Sequence, residues 1–233
     1  MLQQQNEKQV TIAANVNRVK QEMGVACERA GRSISEVTLI AVSKTVDVNA
    51  ISMAASCGIT DFGENRLQEA TPKIEQLPDL RWHFIGSLQS NKAKAACQLV
   101  QCIHSLDRPA LVEALSGLSG SDIPKLLMQV NISGEVSKHG VAPEKAIELA
   151  KRISHAGLPL CGLMTIAPLV DDAELVRPIF RQLRILSEKI RDLALPGVSM
   201  ECLSMGMSGD FTVAIEEGAT MVRVGSAIFG RRY

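Results

Sequence analysis

Aromatic side chains are scarce in this chain: one Trp, one Tyr and five Phe, 3% of 233 residues. Any sizeable core must therefore be aliphatic, and a hydrophobic content of 46% is enough to build one. Excess charge of either sign is also missing, with 25 Lys plus Arg against 25 Asp plus Glu. That balance gives no electrostatic reason to expect a nucleic acid or an anionic membrane as partner. The six cysteines (Cys27, Cys57, Cys97, Cys102, Cys161 and Cys202) include no C-x-x-C pair, and several sit inside apolar runs. Buried free thiols are the expectation, with no metal centre. No apolar run is long enough to span a membrane, and the opening MLQQQNEKQV is polar from residue 3. A soluble, cytoplasmic protein is expected.

What is present is a repeating rhythm. Ile12, Val16, Val19, Met23 and Ala26 step by four, three, four and three, a helical face that Gly31 can stop. From residue 37 short apolar runs alternate with helical patterns, from VTLIAVSK through KLLMQVNI and LCGLMTIAP to MVRVGSAIFG. Eight strand-like runs result. They are continuously apolar rather than alternating, as parallel strands buried on both faces are. Pro143 suits a helix first turn, Gly157 and Gly218 suit helix ends, and Pro178 marks a helix start or kink. These features predict one domain over 1–233: an N-terminal helix over 1–31, then a single (β/α)8 TIM barrel over 37–233. A doubly wound open sheet is the competing topology, because periodicity does not report closure.

Barrel function collects at the C-terminal ends of the strands. The first strand runs into Lys44 and Thr45, the second into Glu64 and Asn65, the third carries His83, and the sixth reaches Met164 and Thr165. The last two strands end in LSMGMSGD and RVGSAIFG. Loops after strands seven and eight are where barrels hold phosphate, on backbone N–H groups and helix starts. Ser208, with a helix start at Asp210, and Gly225 with Ser226 fit that use; they also fit ordinary turns. Arg223, two residues before Gly225, can point into the mouth and needs an acceptor, either a carboxylate such as Glu201 or a ligand atom. Lys44 at an apolar wall would lose solvation, and its neutral amine could attack a carbonyl. A lysine that simply ends a strand in water is the plain alternative.

AVSKT, FGENRLQE, WHFIGSLQSNK, QVNISGEVSKHG, GLMTI, LSMGMSGD and MVRVGSAIFG together resemble the YggS/PROSC family of pyridoxal 5′-phosphate (PLP) homeostasis proteins. That family is similar to the barrel domain of alanine racemases and ornithine decarboxylases. The resemblance implies that Lys44 holds PLP as an internal aldimine, and that Ser208, Gly225 and Ser226 cradle the phosphate. It further implies that Arg223 faces the pyridine nitrogen and that Asn65, His83 and Met205 line the pocket. Ser87 stands where many relatives carry proline or histidine, a difference confined to a loop.

PLP works best as an electron sink with a protonated ring nitrogen, which a permanently charged Arg223 disfavours. A racemase of this type also needs a tyrosine base, and the single tyrosine is Tyr233. The expectation is thus a PLP carrier serving cofactor homeostasis, with no catalytic residues and no robust catalysis of its own. It would pass PLP transiently to apo PLP-dependent enzymes and act as a monomer. A PLP-dependent amino acid racemase is the alternative. Lys138, in a polar loop beside His139, is either a second aldehyde-accepting amine or a solvated charge.

Overall fold

The computed structural model describes residues 2–118, 123–135 and 138–230. A long helix, α1 (Leu2–Arg29), precedes eight strand–helix units. These are β1 (Thr38–Val42) with α2 (Val48–Ser56), β2 (Asp61–Glu64) with α3 (Leu67–Gln76), and β3 (Arg81–Phe84) with α4 (Ala93–Leu99). Then come β4 (Cys102–Leu106) with α5 (Pro109–Ser116), β5 (Lys125–Gln129) with α6 (Pro143–His155), and β6 (Leu160–Met164) with α7 (Arg177–Arg191). The last two units are β7 (Val198–Ser204) with α8 (Phe211–Glu216), and β8 (Met221–Val224) with α9 (Ser226–Phe229).

All strands are parallel, in the order β1 to β8, and β8 returns to β1 with Ile40 opposite Arg223 and Ala41 opposite Val224. Closure removes every sheet edge and excludes the open doubly wound alternative. Local chemistry sets the helix starts. Asp47 caps α2 by accepting the Ala50 N–H at 2.8 Å. Pro143 and Pro178 sit in the first turns of α6 and α7, where a missing N–H costs nothing. Pro178 therefore marks a start and not a kink.

The apolar stripe of α1 is buried in full: Ile12, Val16, Val19, Met23 and Ala26 are each at most 3% exposed. Burying each of the larger four contributes about 1.5–3 kcal/mol before chain entropy is counted. The helix packs on α2, α8 and α9 and so covers the side of the barrel. It also ties down the last helix, as Asn15 donates to the Ile228 carbonyl at 2.9 Å and Arg18 to the Ala227 carbonyl at 3.1 Å. No helix among the described residues is long and apolar enough to cross a membrane.

Candidate functional site

Lys44 lies two residues past β1, in a turn, and its side chain is exposed. It does not rest on an apolar wall, and the next residue, Thr45, has a φ of 60°, rare for a β-branched residue. The backbone on both sides of Lys44 is anchored. Ser43 donates its N–H to Gly63 at 3.0 Å and its hydroxyl to Glu64 Oε1 at 2.7 Å, while its carbonyl accepts from Lys73 Nζ at 2.8 Å. Lys73 also meets Glu64 Oε1 at 2.7 Å, and both side chains are buried. On the far side the Thr45 N–H donates to Glu69 Oε2 at 3.2 Å. The result is an exposed amine on an anchored stalk.

The β7–α8 and β8–α9 connections meet beside this stalk. Gly206 adopts φ +93°, and a Cβ there would lie 2.6 Å from Ala214 Cβ and 2.9 Å from Phe211 Cα. Only glycine lets the loop fold this tightly. Ser208 Oγ accepts from the N–H groups of Gly225 at 3.2 Å and Ala227 at 3.3 Å. Gly225 in turn packs on the last residue of β1, with a Cβ at that position 3.3 Å from Val42 Cβ. The Ser208 hydroxyl and the N–H groups of Gly225 and Ala227 that it binds thus lie where the two loops meet, against the end of β1 at Val42. Asp210 is turned away into its own loop, accepting the Met207 N–H at 2.5 Å. Burial pushes its carboxyl up, against the lowering effect of that N–H and of Arg223.

Arg223 is 4% exposed and does not pair with Glu201. It donates through Nη1 to Ser204 Oγ at 2.6 Å and through Nη2 to the Thr165 carbonyl at 2.8 Å, while Glu201 is exposed. Burial lowers its pKa to about 10, opposed by Asp210, so the guanidinium stays charged at neutral pH. Met205 is buried at the end of β7, and Asn65 lies half-buried past β2 with Gly86 pressed against its backbone. His83 lies deeper: it is bonded inside the barrel to Asp61 and His104, each at 3.0 Å. Lys138 sits in the loop after β5, its carbonyl accepting from Asn131 Nδ2 at 3.3 Å. Sequence reasoning passed over Asp61, Lys73, Glu69, His104 and Ser204. A histidine in the buried run QCIHSL was the available signal, since a buried imidazole must have partners.

The alanine racemase N-terminal domain model matches residues 11–232. Among similar proteins, the pyridoxal phosphate homeostasis protein of Aquifex aeolicus is 44% identical over 225 residues, covering 93% of this chain and 96% of the relative. That of Pseudomonas aeruginosa is 43% identical over 227 residues, covering 95% and 96%. PipY of Synechococcus elongatus, solved with PLP bound, is 40% identical with a TM-score of 0.75, covering 84% of this chain and 93% of that one. Alanine racemase from Corynebacterium glutamicum shares the fold, with a TM-score of 0.68 at 19% identity; the alignment spans 93% of this chain and 62% of the racemase. The chain therefore belongs to the pyridoxal phosphate homeostasis protein family, built on the alanine racemase N-terminal-domain barrel.

Proposed function

We propose that this protein binds PLP and serves its intracellular homeostasis and delivery, carrying the cofactor covalently and reversibly on Lys44 without robust catalysis of its own. The observation that carries the reading is the meeting of three strand ends at one mouth. β1 brings an exposed amine, the loops after β7 and β8 bring N–H and hydroxyl donors, and β8 brings a buried guanidinium.

The chemistry of these donors fits PLP group by group. Ser208, Ser226 and the N–H groups of Gly225 and Ala227 suit its phosphate. Arg223 suits an unprotonated ring nitrogen, because a guanidinium only donates. Lys44 has no ion-pair partner among the described residues, and its exposure leaves Nζ open to an incoming aldehyde. Asn65 and Met205 complete the wall at the strand ends. When bound, PLP supplies an electrophilic aldehyde carbon and an electron-withdrawing ring.

Two features favour a carrier over an enzyme. Arg223 denies the ring nitrogen the proton that would make it a strong electron sink. The sequence holds a single tyrosine, Tyr233, as a candidate second base, and it lies outside the described residues. The relatives named as homeostasis proteins match across nearly their whole length, which supports the same role here. The protein acts as a cytoplasmic monomer that hands PLP to apo PLP-dependent enzymes.

The test has two arms. PLP-loaded protein should restore activity to a PLP-dependent enzyme stripped of its cofactor. It should not turn over D- or L-amino acids; steady racemisation or decarboxylation above about 1 s⁻¹, an ordinary enzyme rate, would replace the carrier reading with an enzymatic one.

A further inference from the structure

Barrel interiors are ordinarily filled by branched aliphatic side chains. Here Asp61, His83, His104, Ser204 and Arg223, from β2, β3, β4, β7 and β8, are each 5% exposed or less. They bond in one line. Arg223 Nη1 meets Ser204 Oγ at 2.6 Å, Ser204 Oγ meets His104 Nδ1 at 2.9 Å, His104 Nε2 meets His83 Nδ1 at 3.0 Å, and His83 Nε2 meets Asp61 Oδ1 at 3.0 Å. β4 and β7 are not neighbours, so the His104–Ser204 bond crosses the barrel. Arg81 closes the far end on both Asp61 oxygens, at 2.9 and 2.6 Å.

The line has one direction. Burial, with the positive charge of Arg223 behind it, holds His104 neutral. Asp61 is ionised and only accepts, so His83 donates to it from Nε2, and an uncharged His83 then accepts at Nδ1. His104 therefore donates from Nε2 and, being neutral, accepts at Nδ1 from the Ser204 O–H, whose oxygen accepts from Arg223. Burial alone would raise the Asp61 carboxyl, but bonds from His83, Arg81 and Thr60 hold it well below the usual range. Every donor points from the cation towards the anion. Asp210 on the mouth side is the one further carboxylate acting on Arg223, and Cys102 lies beside the two imidazoles.

Cys102 Sγ and ring nitrogens of His83 and His104 lie within 4.8 Å of one another, a donor set a metal could use. The direct imidazole–imidazole bond argues for the line instead, because it already occupies the lone pair a metal would need. Burial also pushes the Cys102 thiol up, away from the thiolate a metal requires.

We propose that Ser204 and His104, backed by His83 and Asp61, are positioning residues that fix Arg223 and keep it a donor towards the pyridine nitrogen of PLP. The inference rests on the PLP reading above. Both mobile protons of the upper half, on Ser204 Oγ and His104 Nε2, point away from Arg223, so the line holds no proton to deliver to the ring. Without Ser204 or His104, the guanidinium loses its anchor and the ring nitrogen its fixed donor.

The experiment uses PLP labelled with 15N in the ring, bound to wild type, Ser204→Ala, His104→Leu and His104→Asn. Wild type should give the shift of an unprotonated, hydrogen-bonded ring nitrogen. Ser204→Ala and His104→Leu should move that resonance and weaken PLP about tenfold, as loss of a bond to a charged group implies. The visible band of Lys44-linked cofactor should remain at saturation. His104→Asn, whose side-chain oxygen can still accept from Ser204, should return shift and affinity towards wild type. Ser204→Ala removes a single oxygen and decides the matter if His104→Leu fails to fold. A wild type that binds PLP with shifts and affinities identical to Ser204→Ala overturns this inference alone. A wild type that takes up no PLP overturns the cofactor reading and this inference with it.

Discussion

Lys73 Nζ lies 2.7 Å from Glu64 Oε1 and 2.8 Å from the Ser43 carbonyl oxygen, so a buried ion pair from α3 and β2 grips the residue that precedes Lys44. Glu64 Oε2 is buried with no partner among the described residues. Removing Lys73 would strand a carboxylate already short of partners. Lys73→Met should cost about 3–5 kcal/mol, and Glu64→Gln with Lys73→Met should recover a large part of it. Urea unfolding of the four-member cycle measures this; strictly additive losses would mean that the pair is not coupled.

Two loop glycines should respond oppositely to alanine. Gly206 has φ +93° and no room for a Cβ, whereas a Cβ on Gly209 meets nothing within 4 Å. Gly206→Ala should destabilise by about 1–3 kcal/mol, and each kcal/mol lowers Tm by roughly 2–4 °C at this size. Gly209→Ala should stay within about 0.5 kcal/mol of wild type. Thermal unfolding compares the two, and equal melting points would contradict the packing described for the β7–α8 loop.

The phosphate reading separates PLP from pyridoxal. Ser208→Ala deletes the hydroxyl that sits on the Gly225 and Ala227 N–H groups. PLP affinity should fall about tenfold, while affinity for pyridoxal should not change. Fluorescence titration with both ligands reads the difference; a parallel loss for both would assign Ser208 to folding of the loop.

Stability should respond to acid through His104. The folded protein keeps this imidazole neutral by burial, whereas the unfolded chain protonates it at the ordinary value of 6.5. Its contribution is therefore complete above pH 6.5, and below it stability falls by about 1.4 kcal/mol per pH unit, one proton's worth. Asp61 has the same sign, since its folded pKa is depressed, but its contribution is lost only below the ordinary carboxylate value of 3.8. Urea unfolding on either side of pH 6.5 should show a smaller acid loss in His104→Asn than in wild type. Identical losses would remove His104 as the source.

The barrel was legible because its signals are local. Eight apolar runs, the α1 stripe from Ile12 to Ala26, and Pro143, Pro178 and Asp210 at helix starts each report their own neighbourhood. The strand-end logic likewise singled out Lys44 and the Ser208 and Gly225 loops without knowledge of closure. What escaped depends on closure itself. His104 and Ser204 are 100 residues apart in sequence and meet only across the finished barrel. A histidine on a short strand likewise does not announce that Asp61 and His104 flank it, as they do His83. Lys44 was expected to be desolvated, yet it is exposed, beside a Thr45 whose backbone conformation its β-branched side chain disfavours. Arg223 was matched with Glu201 or a ligand, while its protein acceptors proved to be a hydroxyl and a backbone carbonyl.

The most direct test is the absorption spectrum of the protein as purified, set beside its Lys44→Ala variant. Wild type should carry the visible band of lysine-linked PLP, and Lys44→Ala, folded and phosphate-competent, should lack it. An identical band in both proteins, or none in wild type after incubation with PLP, would contradict the assignment of Lys44 as the cofactor-bearing amine.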